Sequence, residues 1–239
     1  MQFRVIASSS AGNCYELRSG DLPPLLLDAG IAYKDIQIAL DFNVGGLAGC
    51  LLSHAHGDHA KAVPDLLKAQ VDIFASRECW KELNIKHHCS HVVTPREQQN
   101  WEGWTVMPFE AVHDSPGTLG YLVSDNKGAT LLFLTDSAYS PFRFDGLTHI
   151  AIECNFSRDL LRRGAMDGEL SSSRFRRTTM GHMSLETLID MLKANDLSNV
   201  QEIHLLHLSD ANSDAKLFKE RVEAATGVPT FVADKRAVR

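Results

Sequence analysis

Residues 53–61 read "SHAHGDHAK". Three histidines and an aspartate fall within positions 54–59, directly after the apolar run Cys50-Leu51-Leu52. That run reads as a buried strand. His54 and His56, two apart on an extended strand end, point to the same side. Gly57 lets the chain turn tightly, and Asp58 and His59 then face the same space from the next segment. Three imidazoles and a carboxylate suit Zn²⁺, Mn²⁺ or Fe. They are more ligands than one ion with an open position needs. The expected cofactor is therefore two divalent metal ions per chain, Zn²⁺ first and Mn²⁺ as the alternative.

Ligand-type side chains recur where other apolar runs end. His113, followed by Asp114, comes after the run that ends at Phe109, Asp136 after the run through Phe133, and His207 ends the run 203–207. Short apolar runs predict strands at 3–7, 25–27, 50–52, 73–75, 105–109, 120–123, 130–134, 149–152 and 203–207. Leu185, Leu188, Ile189 and Leu192 have the spacing of a half-buried helix, which Ser184 is placed to cap. A second helix is predicted over 214–225, stopped by Gly227 and Pro229. Strands early and late, with helices between, predict an α/β protein with mixed sheets. No Pro/Gly/Ser-rich linker interrupts the sequence, so residues 1–239 are expected to form a single domain.

A hydrophobic fraction of 44% is ordinary for a chain that buries a full core. The net charge of −6 argues against a surface that grips nucleic acid everywhere. It leaves room for a local positive site, because two divalent ions would be the largest charge in any cleft. No apolar run reaches the ~18 residues of a membrane span, and Met1-Gln2-Phe3-Arg4 does not open a signal peptide, so no membrane partner is expected. Five irregularly spaced cysteines make no disulfide framework and point to a reduced, cytoplasmic protein. The cluster His87-His88-Cys89-Ser90-His91 lacks the paired spacing of a structural zinc site. It reads as a loop with incidental ligands, and Trp80, Trp101 and Trp104 read as packing residues.

Asp28 in "LLLDAG", the "SHAHGDH" stretch, His113, Asp136 in "LTDS" and His207 in "LLHLS" stand in an order that resembles the metallo-β-lactamase fold superfamily, over nearly the whole chain. The resemblance implies an α/β fold: an αβ/βα four-layer sandwich of two mixed sheets with helices outside. It implies His54, His56 and His113 on one metal, Asp58, His59 and His207 on the other, and Asp136 bridging. It also implies hydrolysis by a metal-activated water, with Asp58 counted among the catalytic residues. The β-lactamases proper usually lack the bridging aspartate, which argues against antibiotic hydrolysis.

Within the superfamily, His182 in "GHMS" and Glu153 in "IECNF" look like the phosphodiesterase branch that contains the transfer-RNA 3′-processing enzymes. There a glutamate orients a histidine that serves the leaving oxygen. A carboxylate on one ring nitrogen keeps the imidazole charged, and a helix start beside it favours phosphate. "SSSAGNC", "LLLDAG", "SHAHGDHAK" and "GHMS…LLHLS" together are similar to the YycJ-like branch, associated with DNA exonuclease activity. Ser9, Ser10 and Asn13 in the first of these are expected at the mouth of the site as substrate contacts, with Asn155. The segment 158–177 carries Arg158, Arg162, Arg163, Arg174, Arg176 and Arg177 against Asp159, Asp167 and Glu169. Arg174, Arg176 and Arg177 are expected to meet phosphate, and Phe175 could stack on a base. The alternative reading is a solvated loop.

The expected function is a two-metal phosphodiesterase, foremost a DNA exonuclease, with a DNA end or a nucleotide as partner. The alternatives are a cyclic-nucleotide phosphodiesterase of the phage anti-defence type and a glyoxalase-type thioester hydrolase, which would have no use for His182 and Glu153. A non-catalytic binding module is a further one, and the full ligand set speaks against it. A homodimer is left open.

Overall fold

The computed structural model describes residues 1–168 and 170–233. Glu169, counted above among the acids of the arginine-bearing segment, lies outside them. The fold is mixed α/β, with two mixed sheets of six and seven strands. The described chain divides into two compact units, residues 1–110 with 115–129, and residues 111–114 with 130–233.

The first unit opens with an antiparallel pair, β1 (Gln2–Ser9) and β2 (Gly12–Arg18). Ser9 faces Gly12 across the pair, so Ser10 and Ala11 form a two-residue turn. Then come β3 (Leu25–Leu27), α1 (Tyr33–Ala39), β4 (Gly49–Leu51), α2 (Gly57–Ala60), α3 (Val63–Lys68), β5 (Ile73–Ala75), α4 (Arg77–Leu83) and β6 (Ser90–Val92). Strands β3, β4, β5 and β6 run parallel. The buried residues Ile36, Leu26, Cys50, Leu52, Leu66 and Ile73 belong to its core. Parallel pairing brings the ends of β3 and β4 level, and the Asp28 N–H donates to Leu51 O at 2.9 Å. An antiparallel meander, β7 (Gln99–Trp101), β8 (Trp104–Glu110) and β9 (Leu119–Ser124), completes the unit. From it, the Tyr121 hydroxyl donates to Leu52 O at 2.7 Å and the Leu119 N–H to Ser53 O at 2.9 Å. These bonds hold the chain where β4 runs out into His54.

The second unit contains four parallel strands, β10 (Thr130–Leu134), β11 (His149–Glu153), β12 (Glu202–Leu206) and β13 (Thr230–Val232). Its helices are α5 (Arg158–Met166), α6 (Ser172–Gly181), α7 (Leu185–Lys193) and α8 (Ala215–Thr226). Leu185, Leu188, Ile189 and Leu192 of α7 are all buried, as their spacing predicts. Asp214 caps α8, and Gly227 ends it at φ 71°. Leu134 pairs with Ile152 and Ile152 with Leu205, so three strand ends come level at one edge. Parallel strands deliver ligand groups at their carboxyl ends, and Asp136, Glu153 and His207 emerge there.

The structure adds elements that the apolar runs do not announce. Strand β2 carries Glu16, fully buried and paired with Arg4 at 3.1 Å and Arg18 at 2.7 Å, which breaks any apolar pattern. The arginine-bearing segment is two helices rather than a loop. Ser157 accepts from Leu160 N–H and Ser171 from Arg174 N–H, which caps both. All five cysteines are free and buried. No helix among the described residues is long and apolar enough to cross a membrane.

Candidate metal and catalytic site

In the first unit the donors come from one bend. His54 follows β4, His56 precedes α2, and Asp58 and His59 lie on its first turn. Asp28, just past β3, organises them from beneath. It is fully buried and sits at φ 57°, a left-handed conformation that L residues seldom adopt. Its Oδ1 accepts the Ser53 N–H at 2.8 Å, and its Oδ2 accepts the Ser53 hydroxyl at 3.0 Å and the His59 Nδ1–H at 2.7 Å. The hydroxyl, having given its proton to Asp28, accepts from His54 Nδ1 at 3.0 Å. Both rings thereby carry their proton on Nδ1 and present Nε2, the pattern by which second partners fix metal-binding tautomers. His54 Nε2 lies 3.1 Å from His56 Nδ1. That is close to the spacing of two nitrogens held at ~2.0–2.1 Å by one Zn²⁺.

In the second unit the donors come from separate segments. His113 Nδ1 donates to the Gly181 carbonyl at 2.7 Å, which leaves Nε2 as its ligand nitrogen. That nitrogen lies 3.7 Å from Asp136 Oδ2. Asp136 at φ 43° and His207 at φ 52° are both in the left-handed region, as Asp28 is. Strain of this kind persists where surrounding structure holds it. His207 Nδ1 lies 2.8 Å from Asp136 Oδ1 and 3.2 Å from Glu153 Oε1. Burial disfavours a charged His207 ring. The two carboxylates outweigh it and hold the pKa up at about 10.

Glu153 is buried and engaged at both oxygens. Oε2 accepts the Ser137 N–H at 2.9 Å and the Met183 N–H at 3.1 Å, while Oε1 meets His182 Nδ1 at 2.6 Å. Burial raises the Glu153 pKa, but the His182 charge and hydrogen bond bring it down below the usual glutamate value. The His182 pKa is raised: burial opposes the charged ring, and Glu153 overcomes that. Ligand atoms of Asp136, Glu153, His182 and His207 all lie within 4.8 Å of one another. The charged rings of His182 and His207 balance Asp136 and Glu153 here, and a divalent ion at Asp136 and His207 would take the place of the His207 proton. The donors therefore fit a divalent metal by nitrogen spacing in the first unit and by grouped carboxylate and imidazole donors in the second.

The expected substrate contacts fare differently. Ser10 is exposed at the β1–β2 turn, and Ser9 is half-buried with its Oγ accepting the Ala11 N–H at 3.2 Å. Asn13 is fully buried, which corrects its expected place at the mouth of the site. Its Nδ2 donates to Ser9 O at 3.0 Å and lies 3.0 Å from His59 Nε2, and its Oδ1 accepts from Ser9 N–H and Tyr15 O–H. Asn155 Nδ2 donates to His207 O at 2.8 Å, with the residue 8% exposed. Both amides are thus hydrogen-bonded to the protein. Arg174, Arg176 and Arg177 are exposed on α6, with Arg177 Nε 3.5 Å from Asp114 Oδ2. His88 bonds Gln70 at 2.6 Å and His91 bonds Asp72 at 2.7 Å. Trp80 and Trp104 donate to main-chain oxygens of His91 and Pro23, each at 2.8 Å, and Trp101 stacks on Phe74.

Sequence reasoning gave no role to Ser53 and none to Asp28 beyond its place in a motif. The signal for Asp28 was present: a carboxylate directly after three leucines of a buried strand.

A family model described as a beta-lactamase superfamily domain matches residues 25–207. The chain belongs to the β-lactamase superfamily. The matched span opens at β3, just before Asp28, and closes on His207. Exodeoxyribonuclease YycJ of Bacillus anthracis is 25% identical over 235 residues, covering 93% of this chain and 88% of the relative. The metallo-β-lactamase fold protein YhfI from Bacillus subtilis superposes with a TM-score of 0.73 at 19% identity, covering 98% and 96% of the two chains. The short form of human tRNase Z gives 0.60 at 16% identity, covering 88% and 93%. This β-lactamase-superfamily chain thus has the metallo-β-lactamase fold and is a metal-dependent hydrolase.

Proposed function

We propose that the chain is a phosphodiesterase acting on nucleic acid, and specifically a DNA exonuclease. The observation that carries this reading is the Glu153–His182 pair, joined at 2.6 Å. A departing alkoxide needs a proton, and an imidazole held charged by a buried carboxylate is built to give one. A thioester's thiolate leaves without that help. With Nδ1 committed to Glu153, His182 serves the leaving oxygen through Nε2. The similarity to exodeoxyribonuclease YycJ supports DNA as the substrate.

The proposed ligand sets are His54, His56 and His113 for one ion, and Asp58, His59 and His207 for the other, with Asp136 between them. Such a pair supplies an activated water and neutralises phosphate charge. Asp28 and Ser53 hold the rings of the first unit in their ligating tautomers, and the Gly181 carbonyl does so for His113.

The test puts end-labelled DNA and cyclic mononucleotides side by side at equal enzyme. DNA shortened from its ends is the expected result. Replacing Arg174, Arg176 and Arg177 together by Ala should weaken DNA cleavage and flatten its salt dependence, since each phosphate neutralised steepens that dependence. Turnover of bis(p-nitrophenyl) phosphate should stay within a few-fold. Cleavage of the cyclic compounds alone, undiminished in the triple variant, would replace the exonuclease reading with a cyclic-nucleotide one.

A further inference from the structure

The second unit holds a cavity of about 240 Å³ whose lining includes Phe156, Leu161, Phe175, Arg158, Arg162 and His182. Its volume is just under the ~300–1,000 Å³ of common small-molecule sites, so it suits a single heterocycle and not a length of strand. Its depth is apolar. Phe156 and Leu161 are 3% and 1% exposed, and half-buried Phe175 packs against the cluster they form with Leu170. Its outer part is cationic, since Arg158 and Arg162 are both exposed. Arg158 is tethered to the start of α7, where its Nη2 donates to Thr187 Oγ1 at 2.9 Å.

His182 decides what this cavity receives. If His182 protonates the leaving oxygen, a group seated against the same wall is bonded to that oxygen. A nucleobase combines flat π-faces with a polar edge, and a deoxynucleotide adds phosphate. Apolar depth with an aromatic ring, under two guanidinium groups, answers both.

We propose that this cavity is the subsite for the nucleobase on the departing side of the scissile bond, with Phe175 stacking on the base and Arg162 meeting the adjoining phosphate. The proposal rests on the phosphodiesterase reading and adds to it the class of leaving group, a nucleotide. It also gives the arginine-bearing segment a role for Arg162 that is separate from Arg174, Arg176 and Arg177.

Two measurements separate this proposal from the reading beneath it. The first compares kcat/KM for a dinucleoside monophosphate with those for the 5′- and 3′-methyl phosphodiesters of the same nucleosides, one of which drops the departing base and the other the retained one. Wild type should prefer the dinucleoside over the ester without the departing base by ~10-fold or more, within what a base–aromatic stack contributes. Phe175→Ala should remove most of that preference and leave the ester without the departing base within two-fold, and Arg162→Ala should remove the further gain made by a phosphate added to the departing nucleoside. Phe175→Tyr, which keeps a ring, should restore the preference. The second titrates a mononucleotide into the protein by calorimetry, with no turnover required. Binding that is lost in Phe175→Ala, from a protein that cleaves no phosphodiester, would keep the subsite and defeat the phosphodiesterase reading. Cleavage of dinucleoside and methyl esters alike, indifferent to both substitutions, would overturn the subsite and leave that reading standing.

Discussion

The two units assemble similar donors by different means. In the first, His54, His56, Asp58 and His59 sit within six consecutive positions, and one buried carboxylate, Asp28, sets two of the rings through Ser53 and His59. In the second, His113, Asp136, Glu153, His182 and His207 come from five segments, and strand register makes Asp136, Glu153 and His207 level. The first cluster is a local fact of the chain, a strand end, a glycine and one helical turn. The second exists only once β10, β11 and β12 have paired. Burial of charge differs too. Each cluster has three imidazoles and two carboxylates, but the first buries only Asp28 and leaves Asp58 partly exposed, while the second buries both Asp136 and Glu153. The same chemistry can thus be written in spacing or in register, and the two versions should fail differently.

The largest failure is expected at Asp136. Asparagine tolerates the φ of 43° found there, so Asp136→Asn keeps the backbone and removes the charge. Loss of metal-derived stabilisation worth several kcal/mol should lower bis(p-nitrophenyl) phosphate turnover by ~10³-fold or more. Metal content by elemental analysis should fall from near two per chain. Full content in this variant would break the reading of Asp136 as a shared ligand.

His182→Ala should come next, with ~10²-fold lower phosphodiester hydrolysis, the size of a general acid's contribution. Metal content should hold. An activated ester should lose far less, because a good leaving group needs little protonation. Equal losses on both would mean that His182 positions phosphate. Glu153→Gln should show the same leaving-group pattern together with a lower Tm, since its one amide oxygen, kept on the Ser137 and Met183 N–H groups, leaves its N–H₂ facing His182 and His207 Nδ1 where Oε1 now accepts.

Asp28→Asn carries the test back to the first unit. Partners of ligating histidines are worth ~10–100-fold in metal affinity, so a competition titration with a chelator should show that loss. The ratio of activated to unactivated turnover at saturating metal should not move. A changed ratio would mean that the two clusters do not divide the labour between holding metal and serving the leaving group.

This division also explains what was legible in the sequence. Spacing alone marks His54 to His59 because the geometry is local. His113, Asp136 and His207 can be picked out only as polar residues at the ends of apolar runs, and pairing them needs a known family order. Strand β2 was hidden because Glu16 is buried against two arginines, and β6, β7 and β13 because each sets at least one polar residue among only three, unlike the equally short but apolar β3 and β5. Helices α5 and α6 carry few apolar residues, so their serine caps were the only local sign of them. Asn13 was misplaced for a related reason: a polar residue in a Ser/Gly/Asn turn reads as surface unless its own hydrogen bonds are known.

Asn13 and Asn155 give the smallest expected effect and the closest pairing of the units. Asn13 ties the β1–β2 turn to the Asp58–His59 bend, through Ser9 O and N–H on one side and Asp58 O at 3.3 Å on the other. Asn155 makes one such bond, to the carbonyl of His207 itself. Alanine at either site strands buried partners at a cost of ~1–3 kcal/mol, or roughly 2–4 °C in Tm per kcal/mol for a chain of this size. Asn13→Ala, with more bonds to lose, should have the larger shift. Each should lower kcat a few-fold through its neighbouring ligand, His59 or His207, and leave KM for DNA nearly unchanged. A substrate contact would do the reverse, raising KM at constant Tm. That outcome in Asn155→Ala alone would show that the second unit, unlike the first, spends a buried amide on the nucleic acid.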